Sequence, residues 1–391
     1  MARIYLDNNA TTRTAPEVAD AISPYLGEIY GNPSSVHRMG ARAASALKEA
    51  REKTAAFLKC RESEVVFTSG GTESNNMAIH GVLRAAPEKK HIVTSTVEHP
   101  SVLEVYKHLE GAGYRATYVG VDREGTLDLQ ALEDSISEDT ALVSLMYANN
   151  ETGVVFPVED IVNIVEPRGV PLHVDAVQAA GKIPLDMSSS RIDLLSLSGH
   201  KLHAPKGVGV LFVRRGTRIR PLLIGGGQEK GRRSGTENIP FIVGFGKALE
   251  LAAACPEVVQ MRRLRDKLEE TALSSISTAV RNGAAEHRLP NTSNLSFEGL
   301  EGEAILLMMD EAGICASSGS ACSTGALEPS HVLSAMGVPA SLARGSVRFS
   351  LSRYTTEAEI DAVINELPRI VKRLSALSNK TNPTAIRERH G

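Results

Sequence analysis

Ser196-Leu197-Ser198-Gly199-His200-Lys201-Leu202-His203-Ala204-Pro205-Lys206-Gly207 decides how the rest of the chain is read. The apolar run Ile192 to Leu197 predicts a buried strand, and Lys201 follows its end among Gly, His and Pro rather than on a helix. An ammonium in apolar surroundings loses solvation, so its pKa falls from about 10.4 toward neutrality. The free amine can then attack a carbonyl and form a Schiff base. Most lysines after a strand are surface charges, so this reading depends on the company Lys201 keeps.

Similar strand-like runs occupy Val65 to Ser69, His91 to Val97, Thr140 to Met146, Val170 to Val174 and Val208 to Val213, with a helix predicted over Val158 to Val165. Strand, loop and helix in repeated order predict an α/β fold with a mostly parallel sheet, whose ligands bind beyond the carboxyl ends of the strands. Thr72, His99, Asn150, Asp175, Gln178, His200 and Lys201 all fall at such ends. The turn Gly70-Gly71-Thr72-Glu73-Ser74-Asn75 opens a helix, and amides freed there, with the Thr72 hydroxyl, suit a phosphate. It is neither a Walker loop nor Gly-x-Gly-x-x-Gly. Each residue also has a plain counterpart: Thr72 and Asp175 as helix caps, His99 as a hydrogen-bonded structural histidine.

The 391 residues exceed one ordinary core and predict two domains, with the break near Cys255-Pro256. A formal charge of -3 argues against a nucleic-acid footprint, which needs a basic excess. No run approaches the ~20 apolar residues of a membrane span, and Met1 to Thr12 lacks a signal-peptide core, so a cytoplasmic protein is expected. The four cysteines do not make a disulfide scaffold or a Cys-x-x-Cys metal site. Cys322 stands apart in Ser317-Ser318-Gly319-Ser320-Ala321-Cys322-Ser323-Thr324-Gly325, small residues with little reason to be buried, where a thiol can reach and react. The segment Gly225 to Asn238 is too glycine-rich for a regular element and carries three cations, which suits an anion or a neighbouring subunit.

Taken together the motifs resemble those of the NifS/IscS-like cysteine desulfurases, pyridoxal-phosphate enzymes of the class-V aminotransferase family. They are Leu6-Asp7-Asn8-Asn9-Ala10-Thr11-Thr12, Gly71-Thr72-Glu73-Ser74-Asn75, Val97-Glu98-His99-Pro100-Ser101, Asn149-Asn150-Glu151-Thr152-Gly153, His173-Val174-Asp175-Ala176-Val177-Gln178, Ser198-Gly199-His200-Lys201, Gly231 to Asn238, Ser317 to Cys322 and Arg348-Phe349-Ser350. The resemblance implies the fold type I of pyridoxal-phosphate transferases: a large cofactor domain over residues 13–255 with a mostly parallel seven-stranded sheet, and a smaller α+β domain from residues 1–12 and 256–391 that carries the catalytic-cysteine loop.

It also implies roles. Lys201 would carry pyridoxal 5'-phosphate in a Schiff-base linkage, Asp175 would pair with the ring nitrogen, Gln178 would bond the ring hydroxyl, and His99 would stack on the ring and move protons. Gly71, Thr72, Ser198 and His200 would hold the phosphate, joined by Thr236 from the partner in a homodimer. Asn150 and Arg348 would take the substrate carboxylate. Cys322 would accept sulfur from L-cysteine as a persulfide, leave L-alanine, and deliver the sulfur to an iron–sulfur scaffold protein or another acceptor. No resident metal is implied, since Cys322 would meet a cluster iron only in passing. A metal-dependent hydrolase built on His99, His200 and His203 is disfavoured, because no His-Glu-x-x-His or carboxylate cluster accompanies them.

Overall fold

The computed structural model describes residues 3–254, 257–318 and 329–381. Strand β1 (Ile4–Tyr5) and helices α1 (Pro16–Gly27) and α2 (Arg38–Leu58) come first. Then follow β2 (Val65–Thr68), α3 (Gly71–Ala85), β3 (His91–Ser95), α4 (Pro100–Gly111), β4 (Arg115–Val119), α5 (Leu129–Ser135), β5 (Thr140–Met146), α6 (Val158–Val165), β6 (Leu172–Asp175), β7 (Leu194–Ser198), β8 (Gly209–Val213) and α7 (Ile239–Ala253).

Strands β2 to β8 form one seven-stranded sheet in the order β2-β8-β7-β6-β5-β3-β4. Neighbours from β7 to β4 pair in parallel, while β8 runs antiparallel to both β7 and β2. Period-2 alternation splits the apolar strand residues between two helical layers. Phe67, Val93, Val143, Leu195 and Phe212 pack with Ile22, Leu58, Ile161, Phe245 and Leu249 from α1, α2, α6 and α7. Their chain neighbours Val66, Ile92, Leu142, Leu194 and Leu211 pack with Met77, Ile79 and Val82 of α3 and Val102, Tyr106 and Leu109 of α4.

A second apolar core is built by α8 (Glu257–Ser275), β9 (Ala279–Arg281), β10 (Thr292–Phe297), α9 (Gly302–Glu311), β11 (Ile314–Cys315), β12 (Ser346–Ser350) and α12 (Glu357–Thr381), while the short helices α10 (His331–Ala335) and α11 (Ala340–Ala343) before β12 pack Val332, Leu333 and Ala343 into the core of the large sheet. An antiparallel sheet β12-β10-β9 packs Leu295, Phe297, Val347 and Phe349 against Leu264, Ile305, Ile360 and Val363. The amino-terminal segment belongs to this core: Leu6 is buried in it and β1 pairs in parallel with β11. It then crosses to the large sheet, because Asn8 N–H donates to Ser350 O at 3.1 Å and Thr12 N–H donates to His200 O at 2.9 Å. That crossing, with Arg348 on β12, brings the smaller core over the carboxyl ends of β5, β6 and β7.

Candidate active site at the carboxyl edge of the sheet

A cavity of about 270 Å³ opens where these strands end. Asp175 is the last residue of β6, Ser198 is the last of β7, and the helical turn Gly199–Lys201 carries His200 and Lys201 directly onward. Gly71 and Thr72 start α3 just past β2, and His99 caps α4 just past β3. These residues, with Asn150, Gln178 and Arg348, all line the cavity. Gly70 makes the turn possible, since its φ of +154° suits glycine almost alone. Asn9, Ala10, Asn75 and Ser101 also line it, and sequence reasoning gave none of them a role.

Asn75 organises the deep side. Its Nδ2 donates to Asp175 Oδ2 at 2.7 Å and to Ser101 Oγ at 2.9 Å, while Val177 N–H donates to the second Asp175 oxygen at 2.9 Å. Ser101 Oγ lies 2.8 Å from His99 Nδ1, which also accepts the Ser101 backbone N–H at 3.1 Å. That nitrogen therefore holds a lone pair, and the proton of the neutral ring sits on Nε2. Burial pulls the His99 pKa below its ordinary value, Lys201 and His331 pull the same way, and Asp175 opposes them. Burial, helped by Lys201, likewise takes His200 down to about 4. Both imidazoles are neutral at pH 7.

Lys201 Nζ donates to the carbonyls of Asn9 and Ala10, the latter at 2.8 Å. Gln178 Nε2 donates to Asn9 O at 3.0 Å. Arg348 is buried, donating through Nη1 to Asn150 O at 3.1 Å and pairing through Nη2 with Asp7 Oδ1 at 2.8 Å. Its Nε is buried with no hydrogen-bond partner. Next to His99, Glu98 is fully buried, and burial raises its carboxyl pKa to about 8. One Glu98 oxygen accepts Ser95 Oγ–H and Met146 N–H, and the other has no partner.

The glycine-rich segment is pinned to this region rather than loose. Glu229 is buried, bonds Arg51 in a bidentate pair at 2.7 and 2.9 Å, and adopts a left-handed φ of 46°. Arg233 bonds Glu73, the residue after Thr72, at 2.7 and 3.1 Å. Thr236, on the same segment, is exposed and lies outside the cavity of its own chain. Cys322 falls outside the described residues. Among the described cysteines, burial pushes the Cys60 thiol up to about 12, which makes it unreactive.

The wall suits pyridoxal phosphate. The start of α3 offers backbone amides beside the Ser198 hydroxyl, and a Cβ added at Gly71 would come 2.9 Å from Val177 Cγ2, so this cradle depends on bare backbone. A buried carboxylate at Asp175 answers a protonated ring nitrogen, Lys201 answers an aldehyde, and the unmet N–H of Arg348 answers a carboxylate. Fold and site together define a pyridoxal-phosphate transferase fold of type I.

The family model for aminotransferase class-V matches residues 4–363, and the chain belongs to that family. It is 59% identical over 387 residues to a protein from Trichormus azollae named cysteine desulfurase, covering 98% of this chain and 97% of that one. Among solved structures, a NifS-like protein superposes with a TM-score of 0.89 at 40% identity, covering 95% of this chain and all of the other. A structure described as SspA in complex with cysteine gives 0.79 at 36% identity, with 90% of this chain and 100% of that one covered.

Proposed function

We propose that the protein is a pyridoxal-phosphate cysteine desulfurase, which converts L-cysteine to L-alanine and takes the sulfur onto Cys322 as a persulfide. The observation that carries the reading is the convergence of Lys201, Asp175 and Arg348 on one cavity. When bound, the cofactor supplies an electron sink for the charge left at the substrate Cα.

The chain's own groups do the rest. The Arg348 guanidinium, with its unmet Nε, and Asn150 orient the substrate carboxylate. Lys201 Nζ takes the Cα proton and returns it. Asp175 keeps the ring nitrogen protonated, and Asn75 and Val177 hold the carboxylate still from behind. Gln178 offers an N–H to the ring oxygen, and Gly71, Thr72, Ser198 and His200 hold the phosphate. His99 faces the site with its Nε2 proton, a donor rather than a base. The Cys322 thiolate forms a bond to the substrate sulfur as the carbon–sulfur bond breaks; the carbon keeps the electron pair and gains a proton, giving alanine.

A homodimer completes the site, with the exposed Thr236 lent to the partner's phosphate. The persulfide then passes to an iron–sulfur scaffold protein or another acceptor, and the reducing cytoplasm, where we place the enzyme, keeps Cys322 ready for the next round. The test is to incubate purified protein with pyridoxal phosphate and L-cysteine and to assay alanine and sulfide. Equal amounts of both are expected under a reductant, and Cys322→Ser should keep the bound-cofactor colour while losing both products. Absence of alanine from the unaltered protein overturns the proposal.

A further inference from the structure

Lys182 lies behind this site and has no place in the chemistry above. Its Nζ donates to the main-chain oxygen of Gln178 at 2.9 Å and to Gln178 Oε1 at 3.2 Å. A small cavity of about 50 Å³ separates it from Lys201, and His203 and Arg353 stand on the same wall. The groups that α7 and α8 turn toward it are apolar, among them Leu251, Ala252 and Met261. The charged and titratable groups facing it are Lys201, Arg348, His203 and Arg353, all of them bases.

A structural lysine normally meets a carboxylate, as Lys59 does with Asp186 and Lys267 with Glu357 and Asp361. No carboxylate hydrogen-bonds Lys182 among the described residues. Burial, with Lys201 and Arg348 adding to it, lowers its pKa to about 7. A lysine kept at that cost beside a reactive lysine points to a task at the site.

The geometry defines the task. Gln178 Oε1 is occupied by Lys182, so the amide N–H side is left for Asn9 O and the cavity. Without that donor the amide could turn over and set its own oxygen against the ring oxygen of the cofactor, acceptor against acceptor. We propose that Lys182 is a positioning residue: it locks Gln178 as a hydrogen-bond donor to the cofactor's ring oxygen and, in its charged form behind Lys201, disfavours a proton on the Lys201 nitrogen. The inference rests on the cofactor-binding reading above and assigns Lys182 no contact with substrate.

Both effects act in the same direction. The test follows the visible absorbance of the pyridoxal-phosphate-loaded protein against pH, in the unaltered protein and in Lys182→Met, whose side chain has similar length and no donor. The midpoint of the colour change should move up by about one pH unit in the variant. A purely structural role would lower the melting temperature and leave that midpoint in place. An unmoved or lowered midpoint in a folded, coloured variant overturns the inference. Should Lys182→Met fail to fold, Lys182→Gln removes the charge in a polar side chain and is expected to move the midpoint the same way, with the same result overturning it. Failure of the unaltered protein to take up cofactor at all would overturn the cofactor reading itself, a result distinct from two normally coloured proteins with equal midpoints.

Discussion

The two edges of the seven-stranded sheet both carry charged residues and use them differently. At the amino edge a wider cleft of about 530 Å³ is lined by Lys89, Glu166, Arg191 and Arg214 among others. Its charges are answered locally: Arg191 pairs with Glu166 at 3.5 Å with both side chains exposed, and the Arg214 guanidinium donates to the carbonyls of Met187, Ser190 and Ile192. At the carboxyl edge the cavity has half that volume, Asp175 and Arg348 in its wall are buried, His99, His200 and Lys201 are half-buried, and an Arg348 N–H is left unmet. Volume does not mark a reactive site. Desolvated groups held in fixed protonation states, with a valence left over for a visitor, do.

Substitutions at the two edges sharpen the contrast. The largest effect is expected from Lys201→Ala, which removes the Schiff-base amine and the proton carrier together; alanine formation should fall by more than about 10,000-fold, and residual turnover within tenfold of normal would break the assignment. Arg348→Met comes next. The loss of a charge-assisted bond to the substrate carboxylate is expected to raise KM for L-cysteine by about a hundredfold with a smaller change in kcat, and an unchanged KM would detach Arg348 from the substrate.

Glu98→Gln tests the buried acid under the site by stability rather than rate. The folded pKa of Glu98 is raised from 4.5 to about 8, so between those values the folded state holds a proton that the unfolded chain has released, and its contribution to stability is lost as pH rises. Glutamine mimics the protonated acid without titrating. The variant should lose less stability than the unaltered protein from pH 5 to 8.5, by roughly 4 kcal/mol at the upper end, and parallel melting curves across that range would contradict the raised pKa. The smallest effect belongs to the amino edge: Arg191→Gln should leave kcat/KM unchanged and shift stability by less than about 1 kcal/mol, and a large catalytic loss there would erase the distinction between the edges.

Much of this was legible in the chain. Thr140–Met146 and Val158–Val165 form the elements that their patterns predict, to the residue. All the proposed cofactor and substrate residues except Thr236 line the cavity; most lie at or just past the end of an apolar strand that fixes them, and Arg348 reaches it from the middle of β12. Strand β4 was not legible. It lies at the edge of the sheet, and Arg115, Thr117 and Tyr118 are not fully buried, so no apolar run announces it. Helix α1 buries only Val18 and Ile22 and contains Pro24, which reads as a break until α7 packs on it. All six residues of β10 are buried, yet Ser293, Asn294 and Ser296 are satisfied by Glu269, Glu151 and Asn282, partners no local pattern reveals. The same blindness hid Asn75: its motif suggested a phosphate turn, whereas its bonds to Asp175 and Ser101 arise from chain segments 100 and 26 residues away.

His99 serves two masters with one ring. Its Nδ1 lone pair closes the first turn of α4 by accepting the Ser101 N–H, so the imidazole cannot gain a second proton there without uncapping a helix whose Val102 and Tyr106 are wedged into the outer layer. Acid that charges this ring thus tugs on architecture as well as on the cavity wall, and any strain that loosens the root of α4 shifts the ring that lines the cavity.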